Sequence, residues 1–378
     1  MKFDFFQTFG YGVDTHELTW PTPARHCDPT AAAQSFDDGF EQCALAHDVG
    51  FDSLTLAEHH YTPHRLSPNP IPLAAALGRL LPSAQIGVFG TDLPLNNPVR
   101  IAEEFALLDN VLHGRLRVGL LRGTPNEYLT YGTNPWESRD RFVEALALVR
   151  RALTEPEPFA WEGVHYRFRH VSVWPRCVQQ PHPPMLLSGN SAESAALAGR
   201  LGCDLGFSYQ DVDRCAAHIA VYREAAAAAG WEPTGDNIQY RHAALVVETE
   251  TEAAALRQRY GPESVVRLFP PATPELGAVL GTVGAAMGGS ARGLGGRAEP
   301  PPTLGSVEAR PAFTFAPPFV GTPTEIVEQV RRFHEATGVG RFEFMLGVGA
   351  HRPAHRDAMA MLRLLGAEVL PALRSGRY

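Results

Sequence analysis

The feature that most constrains this chain is a recurring order of signals. A short apolar or β-branched run is followed by a helix cap, then by apolar residues at helical spacing. Strand readings fall at residues 3–6, 53–57, 84–89 and 116–120, and again at 185–188, 204–207, 240–247 and 341–346. Cap signals lie between them. Asp28-Pro29 and Asn97-Pro98 each place an N-cap before a proline at the first helical position. Thr322-Pro323-Thr324-Glu325 adds a capping box. Ser138 is expected to cap a helix carrying Phe142, Leu146, Val149 and Leu153, and further helices are expected at 71–81, 212–230 and 355–369. Eight such alternations predict an α/β chain, a (β/α)8 TIM barrel with insertions. A doubly wound open sheet is the competing arrangement, but no GxGxxG follows the first strand.

The chain has 378 residues, whereas such a barrel needs roughly 250. The excess is expected in two insertions within a single domain spanning 1–378. One is the aromatic and proline-rich stretch 154–183. The other is 270–318, which holds 9 Gly and 9 Pro in 49 residues and reads as a mobile lid. A net charge of −8 excludes the basic footprint of a nucleic-acid binder. Five cysteines, an odd number without a CxxC, read as reduced thiols of a cytoplasmic protein. The opening residues have no signal-peptide h-region and no apolar run reaches 18 residues, so secretion and membrane insertion are not expected.

In a barrel the chemistry collects where strands end. Glu58-His59-His60 ends the second strand. Adjacent strand residues point to opposite faces, which argues against one metal shared by His59 and His60. One histidine is expected to be packed and hydrogen-bonded, with His60 the candidate; the other suits a general base. Arg122-Gly123 follows the fourth strand, and Ser188-Gly189-Asn190-Ser191 with Ser194 lies at a strand-to-helix turn. An arginine fork and a serine-rich helix N-terminus are two arms of a phosphate clamp, although each alone is also ordinary structural usage.

Taken in order, AEHHYTP, LPLNNPVRIAEEFALLDNVLHGRLRVGLLRG, YGTNPWESRDRFVEALALV, PMLLSGNSAESAALAGRLGCDLGFSY and FVGTPTEIVEQVRRFHEATGVGRFEF resemble the bacterial luciferase family, and within it the catalytic α subunit. The resemblance implies a barrel that takes reduced FMN from a separate, transiently bound flavin reductase. It implies a flavin C4a-peroxide that oxidises a carbonyl-bearing or aromatic metabolite, and a homodimer. It places His59 as catalytic base, with Glu58, Asn190 and Tyr209 beside the cofactor and Arg122, Ser191 and Ser194 on its phosphate. Phe89-Gly90 matches a pair joined by a cis peptide next to the isoalloxazine. The chain departs from the α subunit in carrying Leu121 where a cysteine precedes the arginine, and Asn190 where an acidic residue precedes the serine. A deazaflavin-dependent dehydrogenase on the same barrel and a non-catalytic flavin-binding subunit are the alternative readings. The helix at 71–81, with Ala74, Ala75, Ala76 and Gly78, is the expected dimer face.

Overall fold

The computed structural model describes residues 1–13, 18–260, 276, 279, 282–283, 316–347 and 352–375. The lid expected at 270–318 therefore lies outside the described residues, apart from Leu276, Val279, Thr282, Val283 and 316–318.

Alternation along β1 (Lys2–Phe6) decides how the sheet sits. Asp4 meets Arg341 at 2.7 Å and Arg117 at 3.3 Å, both from other strands. Phe5 instead packs its ring against Phe51, and Phe3 against Phe342 and Phe344. Asp4 therefore faces the lumen while Phe3 and Phe5 face the helices, because neighbours on a strand point to opposite sides.

Eight parallel strands close the barrel. After β1 come β2 (Ser53–Leu56), β3 (Gln85–Asp92) and β4 (Leu116–Leu121). β5 (Phe159–Glu162) and β6 (Arg167–Val171) form a separate antiparallel hairpin. The barrel resumes with β7 (Met185–Ser188), β8 (Asp204–Ser208) and β9 (Ile238–Val246), and β11 (Arg341–Met345) returns to pair with both β9 and β1. A ninth strand, β10 (Phe319–Gly321), pairs outside the barrel with the last residues of β9. The run expected as one barrel strand at 240–247 is thus shared: its end, Ala244–Val246, serves β10 instead.

Helices α1 (Pro29–Asp48), α2 (Pro70–Leu80), α3 (Pro98–Val111), α5 (Ser138–Thr154), α6 (Ala192–Leu201), α7 (Val212–Ala228) and α9 (Pro323–Thr337) cover the sheet, with α4 (Pro125–Tyr131) and α8 (Glu250–Arg259) as additions. α10 (His355–Leu364) continues through a π turn, Leu365–Val369, into a final helix, α11 (Leu370–Ser375). Asp28 and Asn97 cap α1 and α3 through their side chains, as their proline-following pattern predicts. Ser138 does not cap α5. Asn134-Pro135 starts a 3₁₀ turn that runs directly into the helix, so Glu137 takes the cap position and Ser138 is already helical.

The core lies between sheet and helices, with Leu54, Leu56, Ile86, Val88, Val118 and Leu120 fully buried. Each such side chain contributes roughly 1.5–3 kcal/mol of burial. Of the small residues expected on a dimer face, Ala74 and Gly78 are buried within this chain. A Cβ at Gly78 would stand 1.8 Å from Leu112, so that glycine lets α2 sit tightly on α3. The excursion at 154–183 is tied down by two carboxylates. Glu144 accepts from Trp161 Nε1 and from the amides of Val164, His165 and Tyr166, while Asp109 accepts twice from Gln179. No helix among the described residues is long and apolar enough to cross a membrane.

Candidate active site

His59 leaves the end of β2 and is held at both ring nitrogens. Its Nδ1 lies 3.0 Å from Glu127 Oε1, and Nε2 meets the Arg65 guanidinium. Glu127 is anionic and Arg65 can only donate, so the assignment that satisfies both puts the proton on Nδ1 and leaves Nε2 accepting. Burial, then the Arg65 charge, pushes His59 down to about 4. Its imidazole is neutral at neutral pH.

Glu127 belongs to a helix cap that sequence reading passed over. Thr124-Pro125-Asn126-Glu127 repeats the pattern recognised at Thr322–Glu325, and it opens α4 as a capping box. Oε2 of Glu127 accepts from the Thr124 amide at 2.9 Å, which leaves Oε1 for His59. Burial alone would raise this carboxyl. The hydrogen bonds from His59 and Thr124 outweigh it and hold Glu127 below the usual range.

His60 turns away from His59. Its Nε2 lies 3.0 Å from Glu58 Oε1, and its ring meets Tyr131 edge-on at 4.9 Å. Glu58 is buried, and its second oxygen faces the Asp92 amide at 3.4 Å. Asp92 closes the cluster. Burial, then the charges of Glu127 and Glu58, raises its carboxyl well above the usual range. Among the described residues no group of histidine, cysteine and carboxylate side chains is arranged to hold a metal ion.

The Phe89–Gly90 peptide is not cis; the cis bonds among the described residues precede Pro21, Pro175 and Pro181. A trans bond suffices because Gly90 adopts φ +143°, a value side chains rarely tolerate, at an irregularity in the β3–β4 register. A Cβ there would also stand 2.8 Å from Ala57. Phe89 points its ring into the lumen, where Gly119 leaves it room and Arg117 lies 5.0 Å from the ring centre.

The two anion arms come together at one edge of the mouth. Ser191 caps α6, accepting from the Ser194 amide at 3.2 Å, and its hydroxyl meets the Ser194 hydroxyl at 3.1 Å. Glu193 in that first turn pairs with Arg139 at 3.5 Å. Arg122 feels both Arg139 and Glu193, and burial followed by the Arg139 charge lowers its guanidinium. Gly123 adopts φ +80° with the Asp92 carboxyl against it, so the turn and the crowding both require glycine. Asn190 is exposed, with its amide 3.3 Å from Ser188 Oγ. Across the mouth Tyr209, at φ +60°, rests its hydroxyl 3.0 Å from Met345 Sδ.

A parallel β/α barrel with a histidine–carboxylate pair and an anion cradle at its C-terminal mouth defines the class: a TIM-barrel protein whose site faces the strand ends. Over residues 16–340 the sequence matches the luciferase-like monooxygenase family, and the chain belongs to that family. The alkanal monooxygenase alpha chain of Photorhabdus luminescens is 32% identical over 184 residues, 48% of this chain and 51% of that protein. The chain thus matches about half the length of that curated relative. Among solved structures, a monooxygenase from Streptomyces bottropensis aligns with a TM-score of 0.75 and 24% identity over 98% of this chain and 99% of its own. The oxygenating constituent of 3,6-diketocamphane monooxygenase from Pseudomonas putida, in complex with FMN, gives 0.68 and 23% over 98% of both chains. An F420-dependent secondary alcohol dehydrogenase gives 0.67 and 18% over 99% of both. At these identities the structural likeness speaks for the fold alone.

Proposed function

We propose that this chain is the oxygenase component of a two-component flavin monooxygenase, using reduced FMN from a separate flavin reductase to oxidise a carbonyl-bearing or aromatic metabolite. The observation that carries the reading is the convergence of Arg122, Arg139 and the Ser191–Ser194 cap on one edge of the mouth that holds His59. A phosphate monoester fits that edge, where backbone N–H groups, hydroxyls and guanidinium groups meet. Arg122, Ser191 and Ser194 would hold the FMN phosphate. The backbone at Phe89-Gly90, with Glu58 and Asn190, would border the flavin, and Tyr209 would support its face. Reduced flavin, when bound, supplies the electrons with which molecular oxygen is activated and one oxygen atom inserted.

The rest is the work of the protein. Glu127 fixes the His59 tautomer and leaves Nε2 as the basic atom. Arg65 occupies that atom in this structure, so His59 takes a proton only after the guanidinium turns aside. The apolar walls around Phe6, Phe89 and Met345 keep water from the reacting centre.

Oxygen uptake tests the reading, with FMN, NADH and a flavin reductase, over a panel of aldehydes, ketones and aromatic acids. Substrate-dependent uptake and an oxygenated product are expected. Substrate oxidation with deazaflavin and no oxygen consumption would replace the reading with the dehydrogenase one. Flavin binding without turnover would leave a non-catalytic subunit.

A further inference from the structure

Inside the lumen each guanidinium has a carboxylate partner. Arg117 pairs with Asp4 and Asp204, Arg341 with Asp4, and Arg241 with Glu343. The balance breaks at the mouth, where Arg65 and Arg352 form no ion pair with a carboxylate among the described residues. Glu127 lies near Arg65, but its two oxygens are taken by His59 and Thr124.

Three guanidinium groups gather there. Arg241 lies 3.9 Å from the centre of the Phe6 ring and Arg65 lies 5.7 Å from it. Arg65 also meets the Tyr209 hydroxyl and feels the Arg241 charge. Arg352 presses its guanidinium onto Gly10, where a Cβ would stand 0.8 Å from Nη1. The β1 and β2 loops that carry Gly10 and Arg65 are laced together by Leu66 N to Phe9 O at 2.9 Å and Tyr11 N to Pro63 O at 2.8 Å. Arg65, Arg241 and Arg352 each remain partly exposed, so a ligand entering the mouth can reach them.

We propose that Arg65 and Arg352 bind a carboxylate of the substrate, with Arg241 adding its charge, and that the substrate class is therefore an organic acid. The proposal rests on the monooxygenase reading for the reaction, but not for the site itself. Two cations brought close together without a carboxylate ion pair among the described residues oppose folding, and a bound anion offsets that cost. Burial, then the Arg65 charge, drives Arg352 down to about 9. A planar carboxylate matches guanidinium forks in a bidentate manner. Bound there, it would lie beside the neutral His59 and turn the rest of the molecule toward the barrel axis. It would also draw Arg65 from His59 Nε2, which frees the base as substrate arrives.

The test uses the full chain, with and without FMN, and three acids, benzoate, phenylacetate and cinnamate, each against its neutral amide. Binding is read by titration calorimetry and ligand-observed NMR. For at least one pair the acid should bind roughly tenfold or more tightly than the amide, since a hydrogen bond to a charged group is at stake. Arg65→Gln and Arg352→Gln should each remove most of that preference. Gly10→Ala should reproduce Arg352→Gln, because its methyl group displaces the guanidinium without touching the charge. Acids and amides that bind alike, or fail alike at millimolar concentration, would overturn the proposal. So would a preference that survives both Arg352→Gln and Gly10→Ala, or acids that compete with FMN and thus place these arginines on the cofactor. If the preference holds but FMN fails to quench on titration, the flavin reading falls and the organic-acid site stands.

Discussion

His59 is neutral because its surroundings penalise the charged form, and this has a kinetic signature. If it is the base, His59→Ala should cut turnover by roughly 10²–10⁴ while leaving FMN affinity, read by fluorescence quenching, nearly unchanged. In the free enzyme the acid limb of kcat/KM should then fall near 4, where burial and Arg65 have pushed the group. Arg65→Met removes one of the three lowering influences, burial and the Arg241 charge being the others, so the limb should move upward toward 6.5. A limb that stays in place in that variant would detach Arg65 from the chemistry. Arg122 can be tested separately. Arg122→Ala should weaken FMN binding, whereas riboflavin, which has no phosphate, should bind the variant as well as it binds the parent. Equal losses for both flavins would move the phosphate away from Arg122.

Single contacts decide how the helices seat. α6 and α7 approach so closely at Gly199 that a Cβ there would stand 2.4 Å from the Tyr222 carbonyl oxygen. A backbone atom cannot swing aside, so Gly199→Val must part the two helices at a cost of roughly 1–3 kcal/mol. Urea denaturation measures it, and an unchanged midpoint would contradict the packing. Much at this scale was legible in the chain. Proline-following caps marked α1, α3 and α9, and eight apolar runs marked the barrel strands. α4 was not read, although Thr124-Pro125-Asn126-Glu127 carries the same cap pattern as α9. The segment has only seven residues and lacks a periodic apolar stripe, so it passed for loop. That omission hid Glu127, the residue that orients His59.

At the scale of the whole molecule, two histidines, His242 buried and His59 largely so, couple stability to pH. His242, on β9, has Nε2 2.9 Å from the Ala316 carbonyl oxygen and Nδ1 accepting from the Ala243 amide at 2.8 Å. Burial pushes it, like His59, down to about 4. Between that value and about 6.5 the unfolded chain binds more protons than the folded one, so stability falls as pH drops through this window. The loss is on the order of 3 kcal/mol for each histidine. A Tm that holds constant between pH 6.5 and 4.5 would refute it, and His242→Gln should flatten the slope. Assembly is a separate matter. Gly78 and Ala74 are spent on packing α2 within the protomer, while Leu80 and Leu107 remain more than half exposed, at 62% and 55%. We still propose a homodimer through the outer faces of α2 and α3. Light scattering at micromolar concentration should return twice the 41.2 kDa chain mass, and Leu107→Glu should return it once.

The sequence by itself determined the barrel, because strand and helix periodicities and their caps are local signals that survive without any knowledge of neighbours. It also brought forward the residues at strand ends, His59, Arg122, Ser191 and Ser194, since in this fold strand ends share one mouth. Only the tertiary structure decided what each of them touches. The Glu127–His59–Arg65 chain joins residues from the loops after two different strands. The matched charges of Asp4, Arg117, Arg241 and Glu343 join strands across the lumen. Charged residues at alternate positions of otherwise apolar strands were a visible hint of that polar lumen. Which cation meets which carboxylate is a matter of barrel closure, and so is which cation is left for a ligand. Closure sets distances between residues far apart in sequence, and no local pattern encodes them.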